Sequence, residues 1–489
     1  MKKILGTLFF VSGLSAVSFA QERIKYVEYD LPNGLHVILH EDHDNPLTVV
    51  SVMYHVGSQN EKPNRTGFAH FFEHLLFEGS VNIDRGEYSK LVEKNGGALN
   101  ANTTPDRTYY FEILPSNQTE LGLWLEAERM LHAKVDSTGI ETQRNVVKEE
   151  RRMRFDNQPY GTFIEQAFEN LYAGTQYGWS VIGSMEHLSQ ASEDDYVNFY
   201  QTYYVPSNAV LSIAGDIDIK KTKEWINKYY GSIPSGQAIN LYRNFLRLDD
   251  KRFKEMYGVD KSIFDQKDFF ASKNAEAKKI IAKYSAMPTA INRPGKNDDK
   301  LTKSIEKTIY DNVDLPGVFL VYKLPNENHP DAYALQLMNS VLAGSESSRI
   351  YKQLVEKKQL STAAFSFPYL KENAGMNIIA SINAKGKTDT EVIAAIEEEI
   401  TKMQNELISD EELEKVKNQI EKQFIERIGD ISNIAEILAQ SYMYQGSTEL
   451  VNNELAKYMK VTKEDIQRVA KEYLTKDNRV ILKYLPKQD

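Results

Sequence analysis

The stretch Thr66-Gly-Phe-Ala-His70-Phe-Phe-Glu73-His74-Leu-Leu-Phe-Glu-Gly79 sets three ionisable residues into an otherwise apolar helix pattern. Phe68, Phe71, Phe72, Leu75 and Leu76 recur at i, i+3, i+4, i+7 and i+8, which makes one wide apolar face. His70, Glu73, His74 and Phe77 repeat that spacing on the neighbouring face, and Gly79 is the expected C-cap. Polar groups amid so much aromatic surface are buried or cleft-lining, and such groups need partners. Histidines at i and i+4 form a ready bidentate site for one zinc ion per chain, and the glutamate between them can take a proton from a bound water. Glu73 is therefore the expected general base; the alternative is that it ligates the metal.

Two histidines leave a zinc site one protein ligand short. The next helix, expected over Ile140–Arg154 and opened by a Thr138-x-x-Glu141 capping box, offers Glu149 and Glu150. Glu150 stands at helical spacing from Val146, Val147 and Met153, which predicts that it sits within an apolar stripe. Glu149 is flanked by Asn145 and Arg152 and is expected to face solvent. Glu150 is thus the expected ligand. Gln143, two turns earlier on the same face, is placed to hydrogen-bond a ligand or the water.

Around these motifs the chain reads as strands and helices in turn. Tyr26 to Val56 is expected as strand, Asn33-Gly34 turn, strand and a further strand over Thr48–His55. A strand over Thr108–Pro115 and a helix over Gln118–His132 follow. The segment Asp195–Asn208 aligns without gaps onto Asp465–Asn478, 270 positions on, each copy a helix, an asparagine and a strand. That repeat predicts two related domains. Between them, 237–306 is charged, carries Pro288, Pro294 and Gly295, and reads as an enlarged interdomain linker with a helix-compatible part over Lys267–Tyr284. The expected division is 1–20, 21–236, 237–306 and 307–489.

Lys2 and Lys3, an apolar run from Ile4 to Val17 and Ser18-Phe19-Ala20 have the form of a secretory signal peptide. They predict an exported, periplasmic or secreted protein with no membrane span after cleavage. The chain has no cysteine, which excludes disulfides and leaves His and carboxylates as metal ligands. Loss of Lys2 and Lys3 would move the net charge from −10 to −12, a balance that argues against nucleic-acid partners.

Together, His70-Phe-Phe-Glu-His74, Asn145-Val-Val-Lys-Glu-Glu150-Arg-Arg and Gly96-Gly-Ala-Leu-Asn100-Ala-Asn-Thr-Thr resemble the pitrilysin/insulinase family of inverzincin metallopeptidases. Glu150 lies 76 positions after His74, which matches the spacing of that family. The resemblance is to the zinc-bearing subunit of the mitochondrial-processing-peptidase type. It implies an α+β fold of two related domains, each a mostly antiparallel sheet packed with helices, forming half of a clamshell that encloses peptides. It implies a zinc-bearing N-terminal domain and a related, non-catalytic C-terminal one. It further implies that Asn100 and Ala101 lie on an edge strand to which a peptide substrate adds, and that Phe77 shapes the pocket after the scissile bond. Family members often carry Glu where Gln143 stands here.

The expected activity is zinc-dependent endopeptidase hydrolysis of peptides or unfolded polypeptides. The alternatives are a chamber subunit that binds or scaffolds without catalysis, and a zinc hydrolase of small molecules. A departure bears on partners. Family members that work alone carry an Arg and a Tyr seven apart in the second half, and Val355 and Thr362 occupy the matching positions. Arg349 and Tyr351 lie nearby with the wrong spacing. A related subunit carrying the pair is therefore expected in a heterodimer, with a homodimer as the lesser expectation.

Overall fold

The computed structural model describes residues 23–487, so the expected signal peptide and its cleavage point lie outside the described residues. Two mixed sheets packed with helices make an α+β fold. The first sheet comprises β1 (Val27–Asp30), β2 (His36–Glu41), β3 (Leu47–Tyr54), β4 (Ala98–Thr103), β5 (Thr108–Pro115) and β6 (Ala209–Gly215), in the order β1-β2-β6-β3-β5-β4. The second comprises β7 (Ile305–Asp311), β8 (Gly317–Leu324), β9 (Ser361–Leu370), β10 (Gly375–Asn383) and β11 (Arg479–Pro486), in the order β7-β11-β8-β10-β9. Each sheet has one parallel pair, β2 with β6 and β7 with β11, and is otherwise antiparallel. β4 and β9 are corresponding edges.

The expected strands and the Gln118–His132 helix form with shifts of a residue or two. Gly34 takes φ +86 in the turn between β1 and β2, where Asn33 Oδ1 accepts from Leu35 N at 3.1 Å.

The repeat is visible in atomic detail. Helices Glu193–Tyr203 and Lys463–Tyr473 open on matching capping boxes, Ser192 with Asp195 and Thr462 with Asp465. Asn208 then donates to Tyr203 O (2.8 Å) and His55 O (3.2 Å). Asn478 donates to Tyr473 O (2.9 Å) and Lys323 O (2.8 Å). The same amide ties helix to sheet in both halves.

The halves also cover one another. Helix Phe163–Leu171 of the first half lays Ala167, Phe168 and Leu171 on Phe319, Val321, Met376 and Ile378 of the second sheet. Helix Ile431–Gln445 of the second half lays Ile434, Ala435 and Leu438 on Ile38, Val49, Met53 and Val210 of the first. With helices on both faces, the central strands β6 and β8 are buried at every position, which explains sequences that are apolar apart from Ser212 and Lys323 rather than alternating.

Three expectations are corrected. The motif helix spans Phe68–Leu75 and ends before Gly79, which instead lies in the following turn at φ +120. The next helix spans Ser137–Arg151, because Asp136 rather than Thr138 caps it, accepting from Gly139 N at 2.8 Å. A π-helical turn, Arg152–Asp156, follows it. The stretch 237–306 is not mainly a linker. Helices Ala238–Arg247, Asp250–Tyr257 and Ala275–Ser285 pack into the first core through Tyr242, Phe245, Phe253 and Ala277, and the segment joining the last two adds Phe264 and Phe269. Dispersed aromatic anchors in a charged stretch hid this. Among the described residues no helix is long and apolar enough to cross a membrane.

Candidate metal centre

The motif helix is fixed at both ends. Gly67 precedes it at φ +90, and a Cβ there would come within 2.6 Å of Ile182 O, so glycine is required. The buried Glu61 carboxylate caps it: Oε2 accepts from Gly67 N and Oε1 from Ala69 N, both at 2.9 Å. Trp179 Nε1 also donates to Oε2, at 3.1 Å. Burial pushes Glu61 up to about 8, against the pull of these donors.

At the other end, Arg129 Nη1 donates to Leu76 O at 2.7 Å and the Tyr110 hydroxyl to Phe72 O at 2.8 Å. Arg129 is fully buried, pairs with Glu126 at 3.0 Å, and sits 4.4 Å from the rings of Phe77, Tyr88 and Tyr110. Glu112 lies near it, held well above the usual carboxylate range by burial and by Glu126. This network sets how the helix presents its polar face.

That face meets helix Ser137–Arg151. His70 Nε2 lies 3.5 Å and His74 Nε2 3.0 Å from Glu150 Oε2. One ligand atom from each residue lies within 4.8 Å of the others. Arg154 Nη1, from the π-turn, holds the other oxygen, Oε1, at 2.8 Å. Burial and the neighbouring His74 lower His70 to about 4, which keeps its imidazole neutral and able to ligate. Burial pushes Glu150 up, but the His74 hydrogen bond and the charges of the two histidines and Arg154 hold it below the usual range. His70 Nδ1 is buried without a hydrogen-bond partner. Two imidazoles and a carboxylate converging in this way fit a zinc ion.

Glu149 turns to solvent and pairs with Arg152 at 2.9 Å. The apolar stripe expected around Glu150 is only partly present: Val147 is buried, while Val146 and Met153 are exposed. Glu150 points inward because the motif helix crosses there. Glu73 lies on the same face as the histidines, and Thr103 Oγ1 donates to its Oε2 at 2.5 Å. Burial raises Glu73 above the ordinary carboxylate range, with Thr103 opposing.

Asn100 and Ala101 lie on edge strand β4, paired with Phe111 and Tyr110 of β5. Asn100 Oδ1 accepts from Ala101 N at 2.9 Å. Phe77 is half-buried, its ring against Tyr88, Tyr110 and Arg129. Gln143 Nε2 donates to Glu78 Oε1 at 2.5 Å, and its buried Oε1 has no hydrogen-bond partner. In the second half Val355 packs on the core, and the Thr362 hydroxyl donates to Ile382 O at 3.3 Å. Arg349 is engaged by Glu412 through two bonds of 2.7 Å.

Glu61, Thr103, Arg129 and Arg154 were not singled out from sequence. Alternation along β4 could have found Thr103, two after Ala101 on the same face. Glu61 acts from a loop and leaves no periodic signal.

A site of two histidines and a glutamate from crossed helices, in the first of two related α+β units, defines a metallopeptidase-type fold. The family description Insulinase (Peptidase family M16) matches residues 36–184, and Peptidase M16 inactive domain matches 190–420. The chain belongs to the insulinase family, peptidase family M16. It is 29% identical to the zinc protease PqqE of Helicobacter pylori across 99% of both chains. It is 22% identical to a probable mitochondrial-processing peptidase subunit beta of Arabidopsis thaliana, over 94% of this chain and 78% of that one. Among solved structures, a protease from Helicobacter pylori superposes with TM-score 0.80 at 26% identity, covering 95% of this chain and all of that one. A peptidase M16 inactive domain from Pseudomonas fluorescens shares the fold, with TM-score 0.74 at 15% identity, over 95% of this chain and 98% of that one.

Proposed function

We propose that this chain is an exported zinc metalloendopeptidase that hydrolyses extended peptides. The observation that carries the reading is the convergence of His70, His74 and Glu150 around one point, with Glu73 on the same helix face. A zinc ion held by those three residues would supply Lewis-acid polarisation of a water and of a peptide carbonyl. Glu73 takes the proton from the attacking water and returns it to the leaving amine. Its raised proton affinity suits both transfers, and Thr103 fixes one carboxylate oxygen so that the other can do the work. The peptide adds as a strand beside β4, where Ala101 N is bonded only by the adjacent Asn100 amide and can be taken over by substrate backbone. Phe77 contributes a wall of the pocket beyond the scissile bond.

Zinc proteases among the relatives support the metal and the chemistry. The Lys2–Lys3 and Ile4–Val17 pattern supports export. The engaged Arg349, with Val355 and Thr362 where an Arg/Tyr pair is expected, favours a related partner subunit that supplies the pair and closes the chamber. The test is a quenched fluorogenic peptide assay with and without chelator, beside metal analysis, on the chain alone and mixed with a related exported protein bearing the pair. Chelator-sensitive hydrolysis, raised by the partner, is expected. Absence of hydrolysis under both conditions would favour a peptide-binding chamber subunit.

A further inference from the structure

Away from the metal centre, a cavity of about 410 Å³ opens where helix Ala238–Arg247 meets the segment that follows helix Thr119–His132. Val81, Leu131, Val135, Val197 and Leu246 form its apolar walls. Its charged lining is mainly cationic, Lys134, Arg243 and Arg247 against the carboxylate of Asp136. Asp136 is already engaged, by Gly139 N at 2.8 Å and Arg85 at 3.2 Å. A positive pocket is unexpected on a chain whose net charge is −10.

The donors are the telling feature. Arg243 is only 7% exposed; its Nη2 donates to Met130 O and Tyr204 O, and Nη1 reaches Asn240 Oδ1 at 3.3 Å, but its buried Nε has no acceptor. The Nε of Arg247 is likewise buried and without a partner, while its Nη groups reach Asn244 Oδ1 at 3.4 Å, Glu193 at 3.5 Å and Asp194 at 4.0 Å. The buried hydroxyl of Tyr200, whose ring lies 4.0 Å from the Arg243 guanidinium, stands beside these donors. Buried donors without acceptors are costly, and an anion seated among them removes that cost. The volume falls in the range of small-ligand sites.

We propose that this cavity binds an apolar carboxylate, its oxygens received by Arg243, Arg247 and Tyr200 and its tail lying along Val81, Leu131 and Leu246. Two sources share that chemistry, a free alkanoic acid and the C-terminal end of a peptide with an apolar last residue. The site uses no residue of the metal centre, so it stands or falls independently of the peptidase reading. The segment 237–306, through Arg243, Leu246 and Arg247, thereby forms one wall of a binding site.

The test is calorimetric titration of the purified chain with octanoate and with N-acetyl-leucine, against octanol, N-acetyl-leucinamide and inorganic phosphate. Saturable binding of either carboxylate is expected, at least tenfold tighter than its neutral counterpart, and the better binder identifies the source. Arg247→Gln should weaken it at least tenfold, and Val81→Trp should block it. Both positions are partly exposed, at 24% for the Arg247 side chain and 41% for Val81, so these variants keep the fold. The proposal is overturned if neither carboxylate binds saturably, if phosphate binds as tightly as both, or if Arg247→Gln and Val81→Trp bind like wild type.

Discussion

Helices Phe68–Leu75 and Ala332–Ala343 hold equivalent places in the two halves, each following a central strand and packing on its edge strand, β4 or β9. The first buries His70 amid phenylalanines and turns Glu73 and His74 to the cleft; the second contains no histidine or carboxylate. Its one deeply buried amide, Asn339, is satisfied locally by Ser366. The scaffold therefore does not need the polar triad. Residues that break the apolar pattern without being required by the fold mark the site of chemistry.

The largest effects should come from breaking the half that carries the triad. His70→Ala, His74→Ala and Glu150→Gln each remove one of the three proposed zinc ligands and should abolish zinc binding and hydrolysis together, while Glu149→Gln should keep both. Metal content by mass spectrometry beside peptide turnover checks this. Zinc retained in Glu150→Gln but lost in Glu149→Gln would reverse the ligand assignment.

Next, the second half can be given what it lacks. Val355→Arg with Thr362→Tyr should raise kcat/KM of the isolated chain by about tenfold or more, a part of the roughly 10²–10³-fold that one well-placed donor supplies. An unchanged value would show that these positions do not face substrate.

The shared framework predicts equality where the site predicts difference. Asn208→Ala and Asn478→Ala each strip two carbonyls of their donor, and each should cost about 1–3 kcal/mol in denaturant unfolding. A large cost in one half alone would mean that the repeat is not energetically equivalent.

A pH-dependent effect concerns Glu61. Its proton affinity is raised from 4.5 to about 8, so the folded chain holds a proton over a window in which the unfolded chain has released it. The resulting stabilisation is full below pH 4.5 and is lost as pH rises through about 8. Glu61→Gln cannot titrate, so its stability should fall less than that of wild type between pH 5 and pH 8. Parallel melting curves across that range would contradict the assignment.

Much of this was legible because the motif chemistry is local. An i, i+4 histidine pair needs only a helix, and the 270-residue repeat preserved the capping boxes and the asparagine that ties each helix to its sheet. Glu150 was chosen for a stripe that is half absent, since Val146 and Met153 are exposed; the crossing of the motif helix, a tertiary fact, aims it inward. The exchange of helices Phe163–Leu171 and Ile431–Gln445 between the halves was invisible, because an amphipathic helix does not say which sheet it will cover. The charged stretch 237–306 misled in the same way: its phenylalanines are spaced for a tertiary core rather than for one helix face.

The central claim, that Glu73 is the proton carrier of a zinc site in the first half alone, is tested most directly by turnover of a quenched peptide by zinc-loaded Glu73→Gln. The variant should hold one zinc per chain and lose at least ~10²-fold in hydrolysis, the contribution of a positioned general base. Turnover at the wild-type rate with zinc in place would contradict the account.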